Sequence, residues 1–362
     1  MDEILSKLTE VMLAATPLPE GFSSREIVRR AIAFEGPPRV PYSFISPLQT
    51  DFFEAVALDV ARQSPRRGGK GSEFGSVYHD EWGVGWEVTK RHWDHANDHP
   101  LKDLRKLRGH RFPDVAAPER FEWLGPYLER ARRAGKYVVG WDPIHMYERM
   151  RGLMGFEDLM LAPYVQPEGL AELLDRLTDL SIATIERFAA LGGVDGFMTW
   201  QDFGLQTTLQ IKPDTFREFY KPRFARVVEA AHARGMDFIW HNCGQILDMM
   251  EDMIEIGVDV VQLDQPRLMG HGRLADAFGG RICFWNTLDI QWATSGNVSE
   301  AQIRSEIAEM MAAFNRFDGG IIARHYPQPG DIALSPEFQR VSYEAFLANG
   351  CGCEERSCPG SG

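Results

Sequence analysis

Cysteine is scarce in this 362-residue chain. There are five, and Cys351, Cys353 and Cys358 crowd the last twelve residues, while Cys243 and Cys283 stand apart in apolar surroundings. This is not the even, closely spaced set of a disulfide framework. Long apolar runs are missing too: nothing approaches the roughly 18 consecutive residues of a membrane span, so no membrane partner is expected. Basic residues are the minority, 39 Lys and Arg against 52 Asp and Glu, for a net charge of −13. With no excess of positive charge to meet phosphates, nucleic acid is not an expected partner. The opening "MDEILSKLTEVMLAATPLPEGF" has no basic region followed by an apolar core, so it is not expected to be a signal peptide, and a cytoplasmic protein is expected. No G-x-G-x-x-G follows the first strand, which weighs against dinucleotide binding. No internal repeat is visible.

What is present is alternation. Short β-branched and aromatic runs read as strands: "RVPYSFIS" (39–46), "YVVGW" (137–141), "GFMTW" (196–200), "DFIWH" (237–241), "DVVQL" (259–263), "ICFWN" (282–286) and "GIIAR" (320–324). Between them lie segments such as "PEGLAELLDRLTDLSIATIERFAAL" and "SEAQIRSEIAEMMAAFNRF", with apolar residues at i, i+3, i+4 and i+7, the helical period. Gly235 and Gly257 close two of these helices. Strand–helix alternation implies βαβ units and a parallel sheet. About seven such units without a break predict an α/β fold, a (β/α)8 TIM barrel, with a doubly wound sheet as the competitor. Residues 1–350 are expected to form this single domain. An inserted segment after the first strand, about 62–120, carries the basic, Gly-rich "RQSPRRGGKGSEFG" and the Trp-, His- and Asp-dense "VYHDEWGVGWEVTKRHWDHANDHPL". The Cys- and Gly-rich tail, 351–362, is expected to be disordered.

In such a barrel the active site lies at the C-terminal strand ends. "DFIWHNCG" ends with His241 and Cys243, two apart and so pointing the same way, before Gly244 permits a tight turn. "DVVQLDQP" ends at Asp264 and "GIIARHYPQPG" at His325. Imidazole, thiolate and carboxylate are zinc ligands, and a catalytic zinc keeps one position open. His241, Cys243, Asp264 and His325 are therefore the expected metal ligands. Each also has a plainer reading: a lone Cys at a strand end is commonly a small buried hydrophobe, and a lone His a hydrogen-bonding group.

"HNCGQILDMMEDMIEIGVDVVQLDQP" resembles the H-x-C-G segment of the uroporphyrinogen decarboxylase superfamily in its methyltransferase branch. "REIVRRAIAFEGPPRVPYSF", "MTWQDFGLQTTLQIKPDTFREFYKPRFARVVEAAHARG" and "GGIIARHYPQPGD" resemble that superfamily's opening, central part and closing strand, so the likeness runs through most of 24–348. It implies a (β/α)8 barrel and a zinc held by the H-x-C pair, with a third ligand near the last strand. It also implies methyl transfer between a small methoxy, methylamine or thiol compound and a corrinoid (cobalamin) or thiol acceptor, as in an O-demethylase system. His325 stands where the branch usually has Cys. The Arg-Gln-Ala-Gly-Arg motif of true uroporphyrinogen decarboxylases is missing after the first strand, which weighs against a porphyrinogen substrate. No Asp-x-His-x-x-Gly cobalamin motif occurs, so a corrinoid would come on a partner protein or free. A homodimer is expected by resemblance alone.

Asp202, at the end of "GFMTWQD", matches an acidic, pocket-facing position in the resembling proteins. With His241 and Cys243 it completes the expected catalytic set; its plainer reading is a turn or cap. Gln206, Trp285 and Asp289 are the expected substrate contacts. "HDEW" (79–82) is open between a lid and a solvated loop. The rival functions are a metal-independent decarboxylase or lyase using Asp202 as acid and base, and a non-catalytic subunit of a corrinoid protein.

Overall fold

The structure, a computed structural model, describes residues 9–44, 49–57, 73–89, 94–296, 298–327 and 329–350. Twelve strands are described: β1 (Tyr42–Phe44), β2 (Gln49–Thr50), β3 (Phe52–Ala55), β4 (Val77–His79), β5 (Gly85–Glu87), β6 (His95–Asp98), β7 (Tyr137–Trp141), β8 (Gly196–Trp200), β9 (Asp237–Asn242), β10 (Val260–Leu263), β11 (Cys283–Asn286) and β12 (Ile321–Arg324). Nine of them form one sheet in the order β2-β1-β12-β11-β10-β9-β8-β7-β3. Every pairing in it is parallel except that of β1 with β2, which is antiparallel.

The sheet curls into the expected barrel, and Asp51 bridges its seam. The Asp51 backbone N–H donates to the Tyr42 carbonyl (2.8 Å), and its carboxylate accepts the Tyr42 N–H (2.7 Å). Arg39 grips both carboxylate oxygens at 2.8 Å each. Asp51 is fully buried, and an unpartnered charge there would cost about 3–5 kcal/mol, so Arg39 is needed for closure. All seven strands expected from sequence are present. Phe52–Ala55 is a further barrel strand between β1 and the inserted segment. Four residues are too short to show a period, and their pairing rests on the Asp51 bridge rather than on local pattern.

Alternation sorts each strand's side chains into two sets. One residue in two faces the barrel interior, where Phe52, Tyr137, Val139, Met198, Ile239, Val260, Cys283, Trp285 and Ile322 pack as one cluster, with Trp141 and Trp200 on its edge. The other set packs outward under the helices, as Phe53, Val138, Phe197, Trp240, Val261, Phe284 and Ala323 do. Full burial of a large apolar side chain contributes about 1.5–3 kcal/mol, so a one-residue slip of any strand is heavily penalised.

The inserted region holds β4, β5 and β6 as a separate antiparallel sheet. "HDEW" forms the turn between β4 and β5. Asp80 accepts from the backbones of Trp82 and Val84 (2.9 Å each) and from the Trp86 indole (3.0 Å), Glu81 pairs with Arg120, and Arg149 lies 4.3 Å over the buried Trp82 ring. The turn is thus tied to the body of the domain. The rest of the basic, Gly-rich stretch and the tail 351–362, with its three cysteines, lie outside the described residues. Among the described residues, no helix is long and apolar enough to cross a membrane.

Candidate metal centre

The inward phase of three neighbouring strands runs past their C-terminal ends and meets. On β8 it runs Met198, Trp200, Asp202; on β9 Ile239, His241, Cys243; on β10 Val260, Gln262, Asp264. Parallel register sets Trp200 beside His241 and His241 beside Gln262.

Asp202 is aimed inward because its neighbours are anchored outward. The Gln201 amide oxygen accepts from the Tyr147 backbone N–H (2.7 Å) and its nitrogen donates to Thr199 (2.7 Å). Phe203 is fully buried, stacked on Tyr147 (4.1 Å between centroids) and edge-on to Phe216 and Tyr220. Cys243 reaches Asp202 because the loops after β8 and β9 cross backbone on backbone. A Cβ on Gly244, whose φ is +78°, would lie 2.5 Å from the Gly204 carbonyl carbon, and one on Gly204 would lie 2.4 Å from the Cys243 oxygen. Only glycine permits this approach at both positions. The Gln245 N–H donates to the Leu205 carbonyl (2.7 Å) and locks the crossing.

The result is a compact donor set. One ligand atom each of Asp202, His241 and Cys243 lies within 4.8 Å of the others. His241 Nε2 is 3.4 Å from Asp202 Oδ1 and 3.6 Å from Cys243 Sγ, and Asp202 Oδ1 accepts the Cys243 backbone N–H at 3.0 Å. Among the described residues this is the group of three or more His, Cys, Asp or Glu side chains placed to share an ion.

Its electrostatics are those of a site that wants a cation. Partial burial would raise the Asp202 carboxyl, but hydrogen bonds from His241 and Cys243 and the charge of the imidazolium hold it below the ordinary value. Burial would lower His241, but the Asp202 hydrogen bond and the charges of Asp264 and Asp202 hold it above. Burial, then the charges of Asp202 and Asp264, push the Cys243 thiol far up. Without a metal, the Cys243 thiol therefore keeps its proton, and Asp202 favours a proton on His241 as well. A divalent cation would replace those protons, and nitrogen, sulfur and oxygen donors at this spacing suit zinc.

The other residues singled out from sequence fall elsewhere. Asp264 follows β10 in the inward phase, but its carboxylate is paired with Arg324 and accepts from Gln262 Nε2 (2.8 Å). His325 is one residue out of phase. Ile322 and Arg324 face inward on β12, so His325 turns to the outer layer, where its Nε2 pairs with Ser342 Oγ (3.0 Å) and its ring packs 4.5 Å from Phe44. Trp285 is inside the barrel, stacked on Phe52 at 4.4 Å. Asp289 caps the short helix Ile290–Ala293, accepting from the Gln291 and Trp292 N–H groups (3.0 Å each). Gln206 is exposed on the loop after β8.

Four residues outside those singled out from sequence lie beside the set or beside Arg324. Gln262 binds His241 Nδ1, and Arg324 holds Asp264. Glu54, in register with inward-facing Val139, has its carboxyl raised by burial, opposed by Arg324. His145, after β7 with φ +46°, accepts the Trp200 N–H at 3.0 Å and stacks on that ring. Burial, then the nearby charges of Arg149 and His241, hold His145 down to about 3, so it is neutral. The first two carry a signal: Gln262 lies two before Asp264, and Arg324 one before His325.

A family model for uroporphyrinogen decarboxylase (URO-D) matches residues 143–323, which span β8 to β11, run into β12 and include every member of the donor set. Curated proteins offer no significant sequence match. Among solved structures, a methyltransferase from Methanosarcina mazei is similar at 15% identity with a TM-score of 0.59, covering 91% of this chain and 98% of that one. A D-tagatose 3-epimerase-like protein (13% identity, TM-score 0.39, 70% of this chain and 95% of that one) and a D-allulose 3-epimerase from Methylomonas sp. (12%, 0.36, 68% and 88%) are more distant. The first of these likenesses shows the barrel fold; the other two are too loose to add to it.

Proposed function

We propose that this chain, which belongs to the uroporphyrinogen decarboxylase family, is a zinc-dependent methyltransferase. It would move a methyl group between a small methoxy, methylamine or thiol compound and a corrinoid or thiol acceptor, as in an O-demethylase system. The observation that carries the reading is the convergence of Asp202, His241 and Cys243 within 4.8 Å at the C-terminal mouth of the barrel. The fold shared with the Methanosarcina mazei methyltransferase supports it.

Asp202, His241 and Cys243 would hold the metal, leaving a position open to the mouth. Zinc in such a place acts as a Lewis acid and deprotonates a coordinating thiol. The protein's own contribution is positional. Asp202 fixes the Cys243 backbone through the 3.0 Å hydrogen bond, and Gln262 fixes the His241 ring. Trp200, 5.2 Å from the His241 ring, and Trp141, 4.8 Å from Trp200, line the mouth with apolar surface. His145, neutral behind Trp200, adds no charge to the site. The corrinoid and a partner protein to carry it rest on the family resemblance.

A second reading, a metal-free decarboxylase with Asp202 as acid and base, is favoured by the direct Asp202–His241 pair at 3.4 Å. Metal content separates the two. Mass spectrometry of the purified protein should find about one zinc per chain, lost in His241→Ala/Cys243→Ser. Protein made without chelators that neither contains nor takes up zinc would remove the methyltransferase reading and leave the decarboxylase.

A further inference from the structure

His241 has two ring nitrogens, and only one faces the donor set. Nε2 lies toward Asp202 and Cys243; Nδ1 is hydrogen-bonded to Gln262 Oε1. An amide oxygen can only accept, so Nδ1 carries a proton and Nε2 is the nitrogen left to offer its lone pair to a metal. The orientation of the Gln262 amide is itself forced. Its nitrogen donates to Asp264 Oδ1 at 2.8 Å, and a carboxylate can only accept. Asp264 is in turn ion-paired with Arg324 from β12. The polarity of the whole chain, Arg324 to Asp264 to Gln262 to His241, therefore admits one arrangement. All four residues are buried: His241 is 5% exposed, Gln262 0%, Asp264 4% and Arg324 7%, so water cannot substitute for any link.

We propose that Gln262 is a positioning residue that sets the tautomer and ring orientation of His241 for metal binding, and that Asp264 acts through Gln262 instead of ligating the metal. This rests on the metal-site reading above and goes beyond it, since it gives the acidic residue of the H-x-C strand's neighbour a different task from that of a ligand. The physical need is plain. A ligating imidazole must offer a lone pair, and a partner on the far nitrogen that cannot donate guarantees it. A glutamine does so without adding a third negative charge beside Asp202 and Asp264.

The test compares zinc affinity, by competition with a chromophoric chelator, and the visible spectrum of the cobalt(II)-substituted full-length protein. The variants are Gln262→Met, Gln262→Glu and Asp264→Asn, with thermal unfolding followed for each. Gln262→Met keeps the size and removes the acceptor; zinc should bind about 10–100-fold more weakly. Gln262→Glu restores an oxygen to Nδ1 and should recover most of that loss. Asp264→Asn should leave the cobalt bands in place, because no ligand atom has changed. Zinc bound as tightly by folded Gln262→Met as by the natural protein would overturn the proposal. So would a shift or loss of the cobalt bands in Asp264→Asn, which would make Asp264 a ligand. Should Gln262→Met fail to fold, the cobalt spectrum of Asp264→Asn decides: unchanged bands keep the proposal, and shifted or lost bands overturn it. If the natural protein itself takes up neither zinc nor cobalt, the metal-site reading falls and this inference falls with it.

Discussion

Gly204 and Gly244 touch backbone to backbone, so closely that a Cβ on Gly244 would sit 2.5 Å from the Gly204 carbonyl carbon. That contact brings the loop carrying Asp202 against the loop carrying Cys243. Gly244→Ala should therefore do two things. The left-handed backbone alone costs a non-glycine residue about 1–2 kcal/mol, and the clash must also push the loops apart. The expected result is a lower unfolding temperature together with weaker zinc uptake. Uptake equal to that of the natural protein would show that the crossing does not place Cys243.

Zinc uptake should release protons. His241 is held above its ordinary value by Asp202 and Asp264 against the effect of burial, and the Cys243 thiol is pushed far up by burial. The Cys243 thiol bears its proton at neutral pH in the metal-free protein, and each group must give up any proton on its metal-facing atom to bind. Affinity should rise with pH, and falling pH should expel the metal as His241 and Cys243 regain their protons. Titration with zinc at pH 7 in dilute buffer with an indicator should show about one proton or more released per ion, the thiol proton among them. Release of none would mean that the thiol is not a ligand.

His325→Gln separates the outer layer from the site. The ring of His325 is buried between Phe44 and Phe346 and pairs with Ser342. Disturbing a buried hydrogen bond costs about 1–3 kcal/mol, so the variant should unfold at a lower denaturant concentration. Its zinc content should be that of the natural protein. Zinc lost without loss of stability would instead make His325 a ligand.

Phe203→Ala tests the outward anchor of Asp202. A fully buried Phe in an aromatic cluster costs about 3–5 kcal/mol on truncation, and Asp202 loses the neighbour that aims it inward. Chemical denaturation should show the stability loss, and chelator competition a weaker site. An unchanged zinc affinity in the folded variant would show that Gln201 alone is enough to aim Asp202.

Several of these features are legible in the chain itself. The barrel follows from alternation, because β-branched runs and helical periods at that spacing leave few other ways to bury both faces of a parallel sheet. His241 and Cys243 were readable as partners, since a period of two points both the same way and the glycine after them marks the turn. Asp202 was readable as a strand-end acid. Other features were not. The strand Phe52–Ala55 exists through Asp51, whose partners, Arg39, Tyr42 and Ser24, mean nothing until the seam closes. His325 reads as the end of β12, but the side chain that faces inward is Arg324; the parity of a strand is known only once its register against β11 and β1 is set. Asp264 reads as a fourth donor, yet Arg324, sixty residues further on, claims its carboxylate. The sequence by itself determined the layers of the fold and which residues can carry the chemistry. Tertiary structure alone decided which carboxylate meets His241 and Cys243. Periodicity fixes only the direction of a side chain relative to its own strand, whereas the distance between side chains of different strands is set by closure of the barrel and by the crossing of two glycines.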